Sequence, residues 1–230
     1  MSELSVIIPL GPHESRLGRL PGDLRLLPPA WEILFVTSMP PATHPLYAAI
    51  TARVAGRGLR WIEAPQGRAA QQNAGAAVAT GEWLWFLHWD SGFDPVLLQA
   101  LERQRQRLPN ALHYCRLQFM RDAAVPMALN SWGANWRSRW LGVPFGDQGF
   151  CLPARLFQQL GGFDERAPYG EDHLLVWAAH LQRVPVLGCT APLHTSARKY
   201  AQQGWGRLTL RYQWLWIRQA LPCWWRCLWR

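Results

Sequence analysis

The sequence has no carboxylate side chain after Asp172. The remaining 58 residues (173–230) hold eight Lys and Arg, whereas the first 172 hold 16 Lys and Arg against 15 Asp and Glu. The net charge of +9 therefore belongs almost entirely to the C-terminal quarter of the chain. Because this charge lies in an appendage and not in a motif that reads a nucleic-acid groove, we predict no nucleic-acid partner.

The sequence also lacks a long uncharged apolar run. The best candidate, residues 208–222, is interrupted by Arg211 and Arg218, which argues against a bilayer-spanning helix. The first residues, MSELS, lack the basic start and apolar run of a secretory signal. Five Cys without a CxxC pair fit a reducing compartment better than a disulfide scaffold. We therefore expect a cytoplasmic protein.

What is present in the first half is an alternation of apolar runs and helix-length segments. The runs SVIIP (5–9), EILFVT (32–37) and LRWIE (59–63) have the composition of buried strands, and segments 15–27 and 44–55 are long enough for helices. An Ala-rich helix over 67–80 and a buried strand over 83–87 continue the series. This order predicts an α/β protein with a parallel sheet and right-handed crossovers.

His88 and Asp90 follow the predicted strand 83–87 directly. Open α/β sheets bind ligands beyond the carboxyl ends of their strands, so an acid at this point is a candidate binding residue. Mg²⁺ typically uses one or two protein carboxylates together with waters and phosphate oxygens. The structural alternatives are that Asp90 caps the next helix and that His88 is a hydrogen-bonded core residue.

Two predicted helices begin with further candidates. Arg68, near the start of the Ala-rich helix, can clamp a phosphate together with free backbone N–H groups, and Asn73 in its interior needs a hydrogen-bond partner. Glu171 and Asp172 open a helix predicted over 170–182; being adjacent, they point about 100° apart, so one can orient while the other acts as a general base. The alternatives are a solvated Arg68 and simple charge compensation at the helix start.

Five motifs occur together in one order: SVIIP, GRAAQQNAGAAVATGEWLWFLHWDS, PFGDQGF, FQQLGGFDE with YGEDHLLVWAAH, and HTSARKY. In this order and spacing they resemble the family 2 glycosyltransferases of the GT-A fold, and especially the bacterial radical-SAM/selenodomain-associated branch. The resemblance covers about residues 4–206. It implies a Rossmann-like, mostly parallel sheet flanked by helices, and an enzyme that moves a sugar from a nucleoside-diphosphate sugar to an unknown hydroxyl acceptor with inversion.

The same resemblance implies roles for individual residues. The donor would be held by Pro9, Glu14, Thr37, Arg68, Asn73, Asp90, Arg198 and Lys199. The acceptor side would be lined by Asp147, Gln148 and Glu171. Asp90 with His88 would hold Mg²⁺ or Mn²⁺, and Asp172 would deprotonate the acceptor.

The segment after the second strand departs from the family. It runs FVTSMP, where the family usually has an Asp that contacts the base, and Thr37 can supply a hydrogen bond but no charge. A catalytically decayed nucleotide- or glycan-binding module is therefore one alternative. A sugar nucleotidyltransferase is another, although the chain lacks the Gly-rich, Lys-bearing N-terminal loop that such enzymes use on triphosphates.

The last segment has an unusual composition. Six of the 15 Trp lie in residues 205–230, interleaved with five Arg. We expect residues 1–204 to form the transferase domain and residues 205–230 an aromatic-basic helical extension. A helix over 208–221 could lie on the inner face of the cell membrane, beside a lipid-linked acceptor, or it could pack on the body or on a second subunit. The composition suits both.

Overall fold

One eight-stranded sheet forms the centre of the molecule. A computed structural model describes residues 3–228, with the backbone alone for 226–228. In chain order the strands are β1 Leu4–Leu10, β2 Glu32–Thr37, β3 Gly58–Glu63, β4 Trp83–Phe86, β5 Ser91–Gly92, β6 Leu112–Phe119, β7 Cys151–Pro153 and β8 Val186–Thr195. Across the sheet they are ordered β3-β2-β1-β4-β7-β6-β8-β5. The first four are parallel, as are β6 and β8, whereas β7 runs antiparallel to β4 and β6, and β5 to β8.

Helices cover both faces and one end of this sheet. In chain order they are α1 Leu20–Asp23, α2 Tyr47–Arg53, α3 Arg68–Val78, α4 Pro95–Arg107, α5 Ala128–Trp140, α6 Ala154–Gln159, α7 Glu171–Leu181, α8 Arg198–Gln203 and α9 Trp205–Leu228. The predicted α/β class and mostly parallel sheet are confirmed. The helix predicted over 15–27 is much shorter, because Pro21 and Gly22 lie within it and both are poor helix formers.

The central strands are apolar because both faces of the sheet are covered there. At the sheet edge, β3 alternates half-buried and exposed residues, so the buried strand expected over 59–63 is corrected to a partly exposed edge strand. Along β1, Val6 and Ile8 face one core cluster and Ile7 faces the other, and all three are fully buried. Helix α3 packs closely on the second face: a Cβ at Gly75 would lie 2.6 Å from Ile7 Cγ2. The Gln71 amide fixes α3 further, since its Nε2 donates to Leu10 O at 3.0 Å and to Val36 O at 2.7 Å. The N-terminus of α3 is thereby held beyond the ends of β1 and β2.

Helix α9 packs on the body through one face. Leu208 and Ala220 are buried, and the Gln219 side chain lies 2.8 Å from His173 Nδ1 and donates to Tyr169 O at 3.0 Å. The extension is thus helical over more residues than expected, with Pro222 inside the helix, and the packing interpretation is confirmed for this face. Trp229 and Arg230 of the predicted extension lie outside the described residues. Between residues 3 and 228 there is no helix that combines the length and apolarity needed to cross a membrane.

Candidate active site

Charged side chains from four segments meet near the carboxyl ends of the central strands. The segments are the start of α3, the turn that follows β4, the start of α7 and the start of α8. They contribute Arg68, His88 with Asp90, Glu171 with Asp172, and Arg198 with Lys199. The predicted residues therefore come from positions more than 100 residues apart in the sequence, as the contact between Arg68 and Glu171 shows.

Arg68 connects three of these side chains. Its Nε donates to Glu171 Oε1, its Nη2 lies 3.6 Å from Asp172 Oδ1, and its Nη1 lies 3.3 Å from His88 Nε2. Burial alone would lower the pKa of Arg68, but the two carboxylates raise it above its usual value. Arg68 therefore stays charged and orients both acids, although its side chain keeps 39% of its surface exposed to solvent.

The Asp172 carboxylate is buried and held on both oxygens. Oδ2 accepts a hydrogen bond from Gly146 N at 2.5 Å and Oδ1 accepts one from His173 N at 2.9 Å. A Cβ at position 146 would lie 2.8 Å from Oδ2, so this approach depends on glycine. Burial raises the pKa of Asp172, but Arg68 and these hydrogen bonds outweigh it and lower the pKa below its usual value. Asp172 is therefore ionised at neutral pH and able to accept a proton.

Asp147 is a second acid in the same place, with the opposite tendency. Its Oδ1 is buried and has no hydrogen-bond partner among residues 3–228. Burial raises the pKa of Asp147 to about 6, with the charge of Asp172 adding to the rise and Arg137 opposing it. Arg137 is itself buried, donates from Nε to Val143 O at 2.9 Å and has a pKa lowered by burial to about 10. The two acids thus differ in charge state near pH 6.

We expect Asp147→Asn to stabilise the protein at pH 7 but not at pH 4. The pKa of Asp147 rises from 3.8, its ordinary value in an unfolded chain, to about 6 in the folded protein. Between these two pH values the folded state therefore binds more protons than the unfolded state. The free energy of unfolding therefore falls as pH rises from about 4 to 6, and Asn removes a penalty of about 1–3 kcal/mol. Urea unfolding at pH 4 and pH 7 measures this, with the exposed Glu82→Gln as control. An equal gain at both pH values would contradict the assignment.

His88 and Asp90 have different partners. Burial and the charge of Arg68 lower the pKa of His88 to about 3, so its ring is neutral and accepts a hydrogen bond from Arg68 through Nε2. Burial raises the pKa of Asp90, and its own backbone N–H supplies the hydrogen bond that acts on it. The helix-capping alternative for Asp90 is wrong, because Asp94 Oδ1 caps α4 by accepting from Leu97 N at 3.1 Å.

This arrangement decides which residues fit a divalent cation. No group of three or more His, Cys, Asp or Glu able to hold a metal occurs in residues 3–228. Asp90 fits Mg²⁺ or Mn²⁺ as a single carboxylate ligand completed by water and phosphate oxygens, and the charges of Glu14 and Asp147 also interact with it. His88 does not fit, because a cation at Nε2 would face the Arg68 guanidinium 3.3 Å away. Of the expected His88–Asp90 pair of ligands, Asp90 is the one whose surroundings fit a cation, and its role as a metal ligand stays a prediction.

Arg198 and Lys199 face Asp90 from the start of α8. Both charges lower the pKa of Asp90 against the effect of burial. Arg198 Nε donates to Ser196 Oγ at 3.0 Å, whereas the Lys199 ammonium is exposed and lies 5.4 Å above the Tyr212 ring. Lys199 is the single lysine of the chain. Two cations therefore lie close to the candidate metal ligand, as expected for a site that receives a diphosphate.

Two predicted binding residues instead support loops. Asn73 donates from Nδ2 to Phe163 O at 2.8 Å and accepts from Phe163 N at 3.0 Å, so it holds the loop that follows α6 against α3. Gln148 is fully buried, donates to Cys115 O at 3.0 Å and accepts from Ser138 Oγ at 2.6 Å. Both amides are already used in hydrogen bonds within the protein. The expected contact of Asn73 with the sugar donor and that of Gln148 with the acceptor substrate are therefore corrected: both side chains support the fold.

Three further residues expected to hold the donor, Pro9, Glu14 and Thr37, lie in or after the first two strands. Thr37 ends β2 and is fully buried, and its hydroxyl has no hydrogen-bond partner in the described part of the chain. Pro9 is half-buried within β1, at a point where β1 extends past the end of β4. Glu14, in the loop after β1, is half-exposed, and its negative charge raises the pKa of Asp90. Of these three residues, Glu14 is the one that interacts electrostatically with a charged side chain of the candidate active site.

Sequence reasoning missed Arg137 and Tyr200. Arg137 lies in the Trp-rich segment that gave no periodic signal, and its guanidinium is 3.6 Å from the Phe145 ring centre. Tyr200 is the last residue of the HTSARKY motif, and burial followed by the charge of Asp147 raises its pKa. The sequence offered one signal for Arg137: its segment, residues 128–140, contains no carboxylate. A buried cation then needs a partner from elsewhere in the chain.

Comparison with known proteins supports the fold. No family model and no curated protein matches the sequence. Among solved structures, S. aureus TarS aligns at 16% identity with a TM-score of 0.65, over 85% of this chain and 37% of that one. TarS 1–349 in complex with UDP-GlcNAc aligns at 17% identity and a TM-score of 0.65, over 84% of this chain and 58% of that one. The complex with UDP gives 17% and 0.66, over 85% and 60%. The chain thus spans 37% to 60% of the TarS chains it matches, and it has the α/β GT-A fold.

Proposed function

We propose that this protein transfers a sugar from a nucleoside-diphosphate sugar to a hydroxyl acceptor, with inversion at the sugar. The observation that carries the proposal is Asp90, a carboxylate beyond β4 of a GT-A sheet, faced by the cations Arg198 and Lys199. The TarS structures with UDP-GlcNAc and UDP make these two compounds the first ligands to test. The assignment to family 2 and to the radical-SAM-associated branch rests on the five sequence motifs and stays a prediction, as does a cytoplasmic location.

On the donor side, positive charge stabilises the departing diphosphate. Arg198 and Lys199 are in place before the reaction, so they need little rearrangement when negative charge develops on the leaving group. A Mg²⁺ or Mn²⁺ held at Asp90 would act as a Lewis acid and stabilise the negative charge of the same leaving group. Arg68 is committed to Glu171 and Asp172, so its part is to fix the acids.

On the acceptor side, Asp172 removes the hydroxyl proton as the oxygen attacks the sugar. Its orientation is set by Gly146 N and by Arg68, which prevents the carboxylate from turning away. Asp147 offers an oxygen without a partner in the same site, and that oxygen suits a hydroxyl of the acceptor. Attack from the side opposite the diphosphate gives inversion in a single displacement.

A thermal-shift experiment tests the proposal. We expect UDP and UDP-GlcNAc with Mn²⁺ to raise Tm, because a ligand that binds only the folded state stabilises it by about 2.7 kcal/mol at a concentration 100 times Kd. UMP with Mn²⁺ is the matched control, since it lacks the diphosphate. A sugar nucleotidyltransferase would respond instead to nucleoside triphosphates, and a shift with none of the nucleoside diphosphates or their sugars would favour a decayed module that binds a glycan.

A further inference from the structure

Helix α5 exposes a row of large apolar side chains. The fractional exposures of Leu129, Trp132, Trp136 and Trp140 are 60, 65, 46 and 67%. Their spacing of three and four residues places them on one side of the helix. The other side faces β6, where the Asn135 amide pairs with both the N–H and the C=O of Leu117. Single exposed apolar side chains are ordinary, but a continuous row of Trp marks an interaction surface.

Helix α9 exposes a second row of the same kind. Leu210, Trp214, Ile217 and Leu221 are 72, 58, 44 and 57% exposed and again recur every three or four residues. The opposite side of α9 is the face that packs on the body. Packing on the body therefore leaves this row uncovered.

The two helices are in direct contact. Asn130 of α5 donates to Thr209 Oγ1 at 2.9 Å and accepts from Trp205 Nε1 at 2.7 Å, and the Arg137 guanidinium lies 5.7 Å from the Trp216 ring centre. Each helix turns a different side to the body. These contacts involve residues outside both rows and hold α5 and α9 together, so the two exposed rows belong to one joined pair of helices.

The charges beside these rows are of one sign. Neither helix contains Asp or Glu, and the exposed cations among the side chains that the structure describes are Arg139 on α5 and Arg207, Arg211 and Arg218 on α9. Trp with Arg at the edge of an apolar face is the composition that binds the interface of an anionic bilayer. A second copy of the chain would bring cations against cations. A sugar ligand would stack on the Trp side chains but leave the Leu and Ile without a role.

We propose that the α5 and α9 rows form one docking surface for an anionic lipid bilayer. The two helices are linked to the candidate active site, because the charge of Arg137 on the buried side of α5 acts on the pKa of Asp147 and α9 directly follows α8, which begins with Arg198 and Lys199. Docking would bring the site close to the lipid headgroups. If the proposed function holds, the acceptor is a membrane-borne hydroxyl compound; the docking itself does not depend on activity.

Vesicle flotation with the full chain tests the proposal. The vesicles are phosphatidylcholine alone and phosphatidylcholine with phosphatidylglycerol. One variant carries Trp132→Gln, Trp136→Gln and Trp140→Gln, and a second carries Leu210→Gln, Trp214→Gln and Ile217→Gln. The matched control is the triple variant Leu26→Gln, Val96→Gln and Leu108→Gln, which changes exposed apolar side chains outside both rows.

We expect the protein to float with the anionic vesicles, and each row variant to partition at least about tenfold less, because each loses buried apolar area. The control should float like the unchanged protein. The proposal is overturned if the unchanged protein floats with neither vesicle or equally with both, or if either row variant floats as well as the control. It is also overturned if sedimentation shows a dimer that the row variants dissociate without any effect on lipid binding. Circular dichroism checks folding, and the UDP thermal shift should persist in all variants, so a failure of docking is distinguishable from a failure of the proposed function.

Discussion

Replacing Asp172 by Asn is expected to slow sugar transfer by about 10² to 10⁴-fold, the usual contribution of a general base, while donor binding survives. The Asn side chain keeps the shape and one acceptor oxygen for Gly146 N, but it cannot take a proton. Single-turnover rates with donor and acceptor measure the chemical step, and calorimetry with UDP measures donor binding. Unchanged transfer in Asp172→Asn would remove Asp172 from the role of base.

Asp147→Asn is the informative comparison, because it makes the same change in the same site. Asp172 has a lowered pKa, so a rate that depends on it should persist as pH falls through 6. Burial raises the pKa of Asp147 to about 6, so a rate that depends on ionised Asp147 should fall below that pH. If Asp147→Asn costs more transfer than Asp172→Asn and the pH–rate profile bends near 6, the base is Asp147.

The parallel half of the sheet could be predicted from the sequence because burial on both faces leaves an uninterrupted apolar run. β1 and β2 show this directly, with every residue of β2 buried. β8 gives no such run, since it lies nearer the sheet edge and alternates buried with exposed residues around Gly188 and Pro192. Helix α5 was missed for the opposite reason: its Trp side chains point outwards, so its apolar pattern does not mark the core.

The candidate site shows the same division. The charged residues follow β4 or open α3, α7 and α8, positions that can be predicted from the sequence, whereas their roles stay predictions. The structural roles of the amides could not be predicted, because Asn73 donates to Phe163, 90 residues away, and Gln148 donates to Cys115, 33 residues away. The fold also explains where the excess positive charge of residues 173–230 lies. The acid-free segment supplies Arg198 and Lys199 to the site and leaves the Arg side chains of α9 on the outer surface.

Asp90→Asn is expected to remove the metal-dependent part of donor binding. In the presence of Mn²⁺, the Kd for UDP should rise by at least about 10- to 100-fold, a loss already seen when an outer partner of a metal ligand is removed. Without metal, UDP should bind Asp90→Asn at least as well as the unchanged protein, because a negative charge beside the diphosphate is gone. Calorimetry with Mn²⁺ and with EDTA measures both values.

The matched control for this prediction is His88→Gln, which changes the neighbouring candidate ligand and retains an acceptor for Arg68. Because His88 Nε2 is already used by Arg68, the Mn²⁺-dependent gain in UDP affinity should survive in His88→Gln. Equal losses in the two variants would restore His88 as a ligand. Equal UDP affinity in Asp90→Asn and the unchanged protein, with and without Mn²⁺, would leave Arg198 and Lys199 as the groups that stabilise the leaving diphosphate, and transfer would then be expected to continue in EDTA.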